Sequence, residues 1–196
     1  MINIHPIKLY GNWSNGYALD VHTISSEFVG YDEYGHEAFD TKRSEIGELL
    51  YKLKYKSDRS CLSAIVDVVV AFIAGQWKIA GLVAVPPSKT SRAFQPVVEI
   101  AENVSSRLQF LCPDDYLVKL KETPELKGVY EYSRRLELLE NVFGVKSALF
   151  DGKNVLLFDD LYRSGATLNA ITRVLYEQGG VSDVYVLTLT KTRSKS

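Results

Sequence analysis

The chain has only two cysteines in 196 residues, Cys61 and Cys112, far apart and without CxxC spacing. That excludes a disulfide framework and a cysteine-ligated zinc ribbon, and it fits a reducing, cytoplasmic setting. Its three histidines, His5, His22 and His36, are scattered through the first 40 residues and show no spacing that would converge on a metal. Long apolar runs are also missing. The longest, from Ala64 to Ala74, is interrupted by Asp67 and is too short to cross a bilayer, so no membrane partner is expected. The first residues carry no basic segment leading into an apolar stretch, so a secretory signal is not expected either. Neither charge sign dominates. Lys plus Arg total 23 and Asp plus Glu 24, a net charge of -1, which excludes a strong non-specific pull toward nucleic acid or anionic lipid. The phosphate motifs GxxxxGK[ST] and GxGxxG are absent.

What is present is a globular composition, 46% hydrophobic and 24% charged, long enough for one compact domain with an appendage. Residues 1–42 are rich in aromatics and glycines, with Asp32–Gly35 suited to a hairpin turn. They predict a small β-rich N-terminal appendage, and residues 43–196 an α/β core. Ile46, Leu49, Leu50 and Leu53 recur at helical spacing, and Lys52, Lys54, Lys56 and Arg59 are assigned to a solvated helix face. A second helix is expected over Cys61 to Gly75. GLVAVPP (81–87) reads as a buried strand stopped by prolines, and Val97, Ile100, Ala101, Val104 and Leu108 as an amphipathic helix. A strand is expected at 116–120, a long loop over 121–135, a short helix around 134–141, a buried strand at 154–160, a helix at 166–178 and a strand at 183–190. Strands alternating with helices predict an α/β fold, a mostly parallel sheet with helices on both faces.

The chemistry concentrates in VLLFDDLYRSGATL, 155–168. Four apolar residues run into two adjacent carboxylates, and burying either of those unpaired would cost several kcal/mol. Asp159 and Asp160 are therefore expected at the carboxyl edge of the strand, where open α/β sheets place their ligands. Ser164, Gly165 and Thr167 then open a helix whose free amides and positive dipole end suit an anion, each such contact worth roughly 0.3–1 kcal/mol. The carboxylates would repel the phosphate but accept hydrogen bonds from the hydroxyls of the same ligand, so the pattern points to a sugar phosphate. The competing reading makes Ser164 and Thr167 simple helix caps and the acidic pair ordinary strand-end polarity.

VLLFDDLYRSGAT resembles the signature of type I phosphoribosyltransferases, and within that superfamily the chain is most similar to the ComF-type proteins. VAVPPS (83–88) with SRAFQ (91–95) resembles their first strand, pyrophosphate loop and Arg-Gly-Phe-Asn-Gln region, and ETPELKGVYEYSRRLELLENVFGV (122–145) their Thr-Pro loop with the Asn-x-x-x-Phe-x-Val that follows. The resemblance implies a type I phosphoribosyltransferase fold with the N-terminal segment as a hood. It implies phosphoribosyl pyrophosphate or a ribose-5-phosphate nucleotide as ligand, Mg²⁺ brought by the substrate, and a homodimer or another protein as partner. Asp159 and Asp160 would take the ribose hydroxyls. Arg163, Ser164, Gly165, Ala166 and Thr167 would hold the 5-phosphate, and Pro87, Ser88 and Lys89 would lie in the pyrophosphate loop. Lys121 is expected among the catalytic residues, with Lys119, Arg134 and Arg135 as further candidates to face the leaving pyrophosphate. The chain departs from the pattern in its missing zinc ribbon, in Arg163 where a small residue is usual, and in Ala93-Phe94-Gln95-Pro96. The expected function is phosphoribosyl transfer to an unidentified acceptor. The alternatives are a catalytically inactive regulatory module working with a nucleic-acid-handling partner, and hydrolysis or attachment of the group to a macromolecule.

Overall fold

A computed structural model describes residues 2–87, 94–122, 128–129 and 131–193. In chain order the elements are β1 (Ile7–Lys8), β2 (Asn15–Val21), β3 (Thr23–Tyr31), β4 (Glu37–Arg43), α1 (Glu45–Tyr55), α2 (Cys61–Ile73) and β5 (Gly81–Ala84). Then follow α3 (Pro96–Leu108), β6 (Leu117–Lys119), α4 (Tyr132–Leu138), β7 (Phe143–Val145), β8 (Asn154–Tyr162), α5 (Ala166–Glu177) and β9 (Asp183–Lys191).

The central sheet has the order β1-β2-β9-β8-β5, with β2, β9, β8 and β5 parallel and β1 antiparallel at one edge. Its strands alternate between two cores, as the two-residue period of a strand requires. Leu156 and Phe158 of β8, with Leu187 and Leu189 of β9, pack under α1, α2 and α3. Val155 and Leu157, with Val184 and Val186, pack on the other face against α5 and the ribbon formed by β6 and β7. The continuous apolar run of β8 follows from burial on both faces. This is the α/β architecture expected from the alternation of strands and helices.

The N-terminal segment departs from the reading of 1–42 as one appendage. β2 pairs with β9 along its length, so residues 7–21 belong to the central sheet. Ala18 and Leu19 are fully buried, one in each core. The partner strand lies at the far end of the chain, where no local pattern reveals it. Only residues 23–43 stand apart, as the antiparallel hairpin β3–β4. Asp32 makes its turn by accepting the Tyr34 and His36 amides, both at 2.9 Å. The cross-strand partners Phe28 and Phe39 meet edge to face with centroids 5.7 Å apart, the packing favoured for aromatic pairs on a ribbon.

Other boundaries shift for local reasons. β5 ends at Ala84 because Pro86 and Pro87 have no amide to donate. α4 begins at Tyr132, inside the stretch expected to be loop. Residues 123–127 and 130 of that stretch, and Lys195 of the basic tail, lie outside the described residues. Among the described residues no helix is long and apolar enough to cross a membrane.

Phe158 is fully buried in the core formed by the sheet with α1, α2 and α3, one residue before the acidic pair. Phe158→Ala is expected to lower unfolding stability by about 3–5 kcal/mol, measured by urea denaturation, because the cavity cannot collapse against a paired strand.

Candidate functional site

The two central strands end at different heights. β5 pairs with β8 only as far as Ala84 opposite Phe158, and the Val85 amide makes a last bond to the Phe158 carbonyl at 2.9 Å. β8 continues to Tyr162, paired with β9 alone. Asp159 and Asp160 thus lie along an edge that β5 has vacated. They do not end the strand, which runs two residues past them. The extension is held from the β9 side, where the Thr190 hydroxyl donates to the Asp160 carbonyl at 3.1 Å and the Thr192 amide to that of Tyr162 at 2.9 Å.

The two carboxyl groups have different surroundings. Lys54 Nζ, from the last turn of α1, donates to Asp160 Oδ2 at 2.6 Å, with the two side chains only 20% and 14% exposed. Burial works against the lysine's charge, but Asp160 outweighs it and the ammonium is held above its usual range. Asp159 is pushed up to about 8, first by burial and then by the neighbouring Asp160 charge. The Asp160 amide, bonded to Asp159 Oδ1 at 2.8 Å, and Lys54 act in the opposite direction. The two carboxyl groups are therefore held differently: burial and its neighbour favour the protonated form of Asp159, and Asp160 is paired with Lys54. Nearby, the His22 ring faces Thr190 Oγ1 at 3.3 Å, and burial, then Arg43 and Lys54, lowers its pKa.

The turn after β8 forms as the residues suggest. Gly165 sits at φ 77°, in the left-handed region, and a Cβ there would meet the Tyr162 hydroxyl at 2.8 Å. Gly165 also occupies the cap position of α5 and has no side chain to cap it, while Ser164 Oγ accepts the Ala166 amide of the first turn at 3.5 Å. Ser164 Oγ also accepts Arg135 Nη1 at 2.7 Å, and Arg135 Nε donates to the Val129 carbonyl at 2.6 Å. This places Arg135, on α4, at the helix start.

Two crevices meet here. The first, about 120 Å³, is lined by Arg135, Asp159 and the turn from Leu161 to Leu168. The second, about 250 Å³, is lined among others by Lys54, Pro86, Pro87, Gln95, Asp159, Asp160 and Thr167. Asp159 and Thr167 line both. The structure thus brings together Asp159, Asp160, Arg163, Ser164, Gly165, Ala166, Thr167 and Pro87. It does not bring Lys121, which is exposed beyond β6 and lines neither crevice. Lys119 pairs with Glu122 at 3.6 Å, and Arg134 with Glu137 at 2.6 Å, so of the two arginines only Arg135 reaches the site. Ser88 and Lys89 lie outside the described residues.

Lys54 corrects the expectation of a wholly solvated basic face. Gly47, Leu50 and Lys54 fall at i, i+3 and i+7, one row of the helix, and the first two are buried. That row was the available signal. The lysine occupies the place where the buried stripe reaches the acidic edge.

No family model matches the chain. Over 52 residues it is 42% identical to the competence protein ComFC of Bacillus subtilis (strain 168), a stretch covering 26% of this chain and only 22% of that protein. Among solved structures, adenine phosphoribosyltransferase from Trypanosoma brucei, in complex with AMP, pyrophosphate and ribose-5-phosphate, superimposes with a TM-score of 0.51 at 12% identity, covering 96% of this chain and 87% of that one. Orotate phosphoribosyltransferase from Aeropyrum pernix matches with a TM-score of 0.46 at 18% identity, over 87% and 76% of the two chains. The likeness to the trypanosomal enzyme is one of fold: the chain has the type I phosphoribosyltransferase architecture.

Two outcomes are expected from the turn and the doublet. Folded Asp159 keeps its proton to about 8 against a reference value of 3.8, so the folded chain binds the extra proton between these values. Its contribution to stability is complete below the lower value and is lost as pH rises through the higher one. Asp159→Asn should therefore raise the melting temperature more at about pH 9 than at about pH 5, and equal shifts at both would contradict the assignment. Gly165→Ala should cost about 1–2 kcal/mol in the same melts, from the left-handed backbone and the Tyr162 contact.

Proposed function

We propose that the joined crevices bind the Mg²⁺ complex of phosphoribosyl pyrophosphate, and that the chain transfers the phosphoribosyl group to an acceptor. The observation that carries this reading is the charge layout across Asp159 and Thr167. On one side lie Arg135, Arg163 and the start of α5, suited to a monophosphate. On the other lie Lys54 and the Pro86–Pro87 bend, next to the acidic edge. A hydroxylated sugar with an anionic group at each end fits such a site. The Asp159 and Asp160 carboxyl groups both offer acceptor oxygens at this edge, which suits a vicinal diol.

The metal fits this reading as part of the substrate. A divalent cation asks for several anionic oxygens, and here burial favours the protonated form of Asp159 while Asp160 is paired with Lys54. Mg²⁺ arriving on the diphosphate needs no protein cage. The role of the protein is to orient the sugar and to exclude water from a cation-like ribosyl centre.

A second reading, a ligand-binding module without turnover, is favoured by one observation. Lys121, the residue expected to assist departure of the pyrophosphate, lines neither crevice. Pyrophosphate release on incubation with phosphoribosyl pyrophosphate, Mg²⁺ and a panel of nucleobases separates the two. Release with any base supports transfer; binding without release supports the module. For the site itself, Asp159→Asn/Asp160→Asn should weaken calorimetric affinity for ribose 5-phosphate at least about tenfold, roughly 1.4 kcal/mol, while unfolding stays cooperative. Unchanged affinity would remove the assignment.

A further inference from the structure

We infer that Lys54 is a cation for the C1 diphosphate of the ligand, and that it makes the site prefer a sugar carrying an anionic C1 substituent over one with a free C1 hydroxyl. This inference rests on the reading of the site given above. Lys54 is the one cation among the described residues lining the second crevice, which also holds two carboxyl groups. A diphosphate entering there meets acidic side chains, and its charge has to be balanced by more than a single bound Mg²⁺. The Lys54 ammonium is placed to do this. It carries three N–H donors and makes one recorded hydrogen bond, to Asp160 Oδ2 at 2.6 Å. Two donors are left for a ligand, and the side chain is 20% exposed at the crevice wall.

The position is fixed by the fold. Leu50 and Leu53 are buried in the core beneath the sheet, which clamps the last turn of α1 against β8 and β9. The ammonium stays beside Asp160 and needs no loop to bring it in. A carboxylate has two oxygens, so Asp160 can keep Oδ2 on Lys54 and offer Oδ1 to a sugar hydroxyl. Lys54 then spans the boundary between diol and diphosphate and binds both ends of the C1 bond region. Arg135 and Arg163 are at the opposite lobe and do not line this crevice. A ligand lacking the diphosphate leaves those two donors of Lys54 in water.

The test compares two probes, Mg²⁺–phosphoribosyl pyrophosphate and ribose 5-phosphate, by calorimetry on the full chain and on Lys54→Met and Lys54→Arg. Lys54→Met should weaken the diphosphate probe by roughly ten- to a hundredfold and ribose 5-phosphate by less than about threefold, and Lys54→Arg should restore most of the difference. Equal weakening of both probes would assign Lys54 a structural role, and no change in either would assign it none; both results overturn the inference. Because Lys54→Met leaves Asp160 without its partner and can fail to fold, the wild-type chain supplies an independent measurement. With nitrogen-labelled lysine, the Lys54 ammonium resonance should move when Mg²⁺–pyrophosphate is added to protein saturated with ribose 5-phosphate. A resonance that stays in place overturns the inference. Wild-type protein that binds neither probe overturns the underlying site as well, whereas binding of both without dependence on Lys54 overturns this inference alone.

Discussion

The early end of β5 is the constraint from which the site follows. A parallel sheet normally satisfies both edges of an inner strand, and β8 loses one edge beyond Phe158 because Val85 is followed by two prolines. The strand would fray there if β9 did not hold it from the other side through Thr190 and Thr192. The result is a short length of ordered backbone with one side turned to a crevice. Side chains on such a segment are rigid and accessible at once, which a ligand site requires and a loop seldom provides.

Placing two carboxyl groups on that segment raises an electrostatic difficulty that the fold resolves unequally. Neighbouring residues on a strand point in different directions, so the two groups meet different surroundings. Asp160 finds Lys54 beneath the sheet and pairs with it. Asp159, partly buried and close to that charge, is pushed up in pKa. Two carboxylates side by side would repel each other; the lysine beside one and the raised pKa of the other both reduce that repulsion. The ion pair is not needed for the core, which is apolar on both sides of the sheet. A buried pair of this kind adds little net stability, so its presence at a crevice points to function.

The opposite lobe is built around a glycine turn. Gly165 lets the chain turn tightly over Tyr162 into α5, where Ser164 Oγ accepts the Ala166 amide. Arg135 closes this lobe from α4, held by Ser164 and by the Val129 carbonyl. This lobe is thus shared between a turn and a helix that are distant in the chain.

How much was legible follows from where each signal is written. VLLFDDLYRSGATL carries its own strand, acidic pair, glycine turn and helix start in one local pattern, so its sequence was enough to place those elements in order at one sheet edge. Helical periods in Glu45–Tyr55 and Pro96–Leu108, and apolar runs bounded by Pro or Gly, were equally local, and they determined the α/β class. The places where local reading failed are all pairings across long separations. β2 joined the sheet because β9 was waiting for a partner, Lys54 left the solvent face because Asp160 stood opposite it, and Arg135 rather than Lys121 reached the turn because α4 packs on α5. Periodicity and motif record what a residue prefers among its near neighbours in the chain. Charge pairing, protonation and crevice shape depend on neighbours in space, and only the packed structure brings those together.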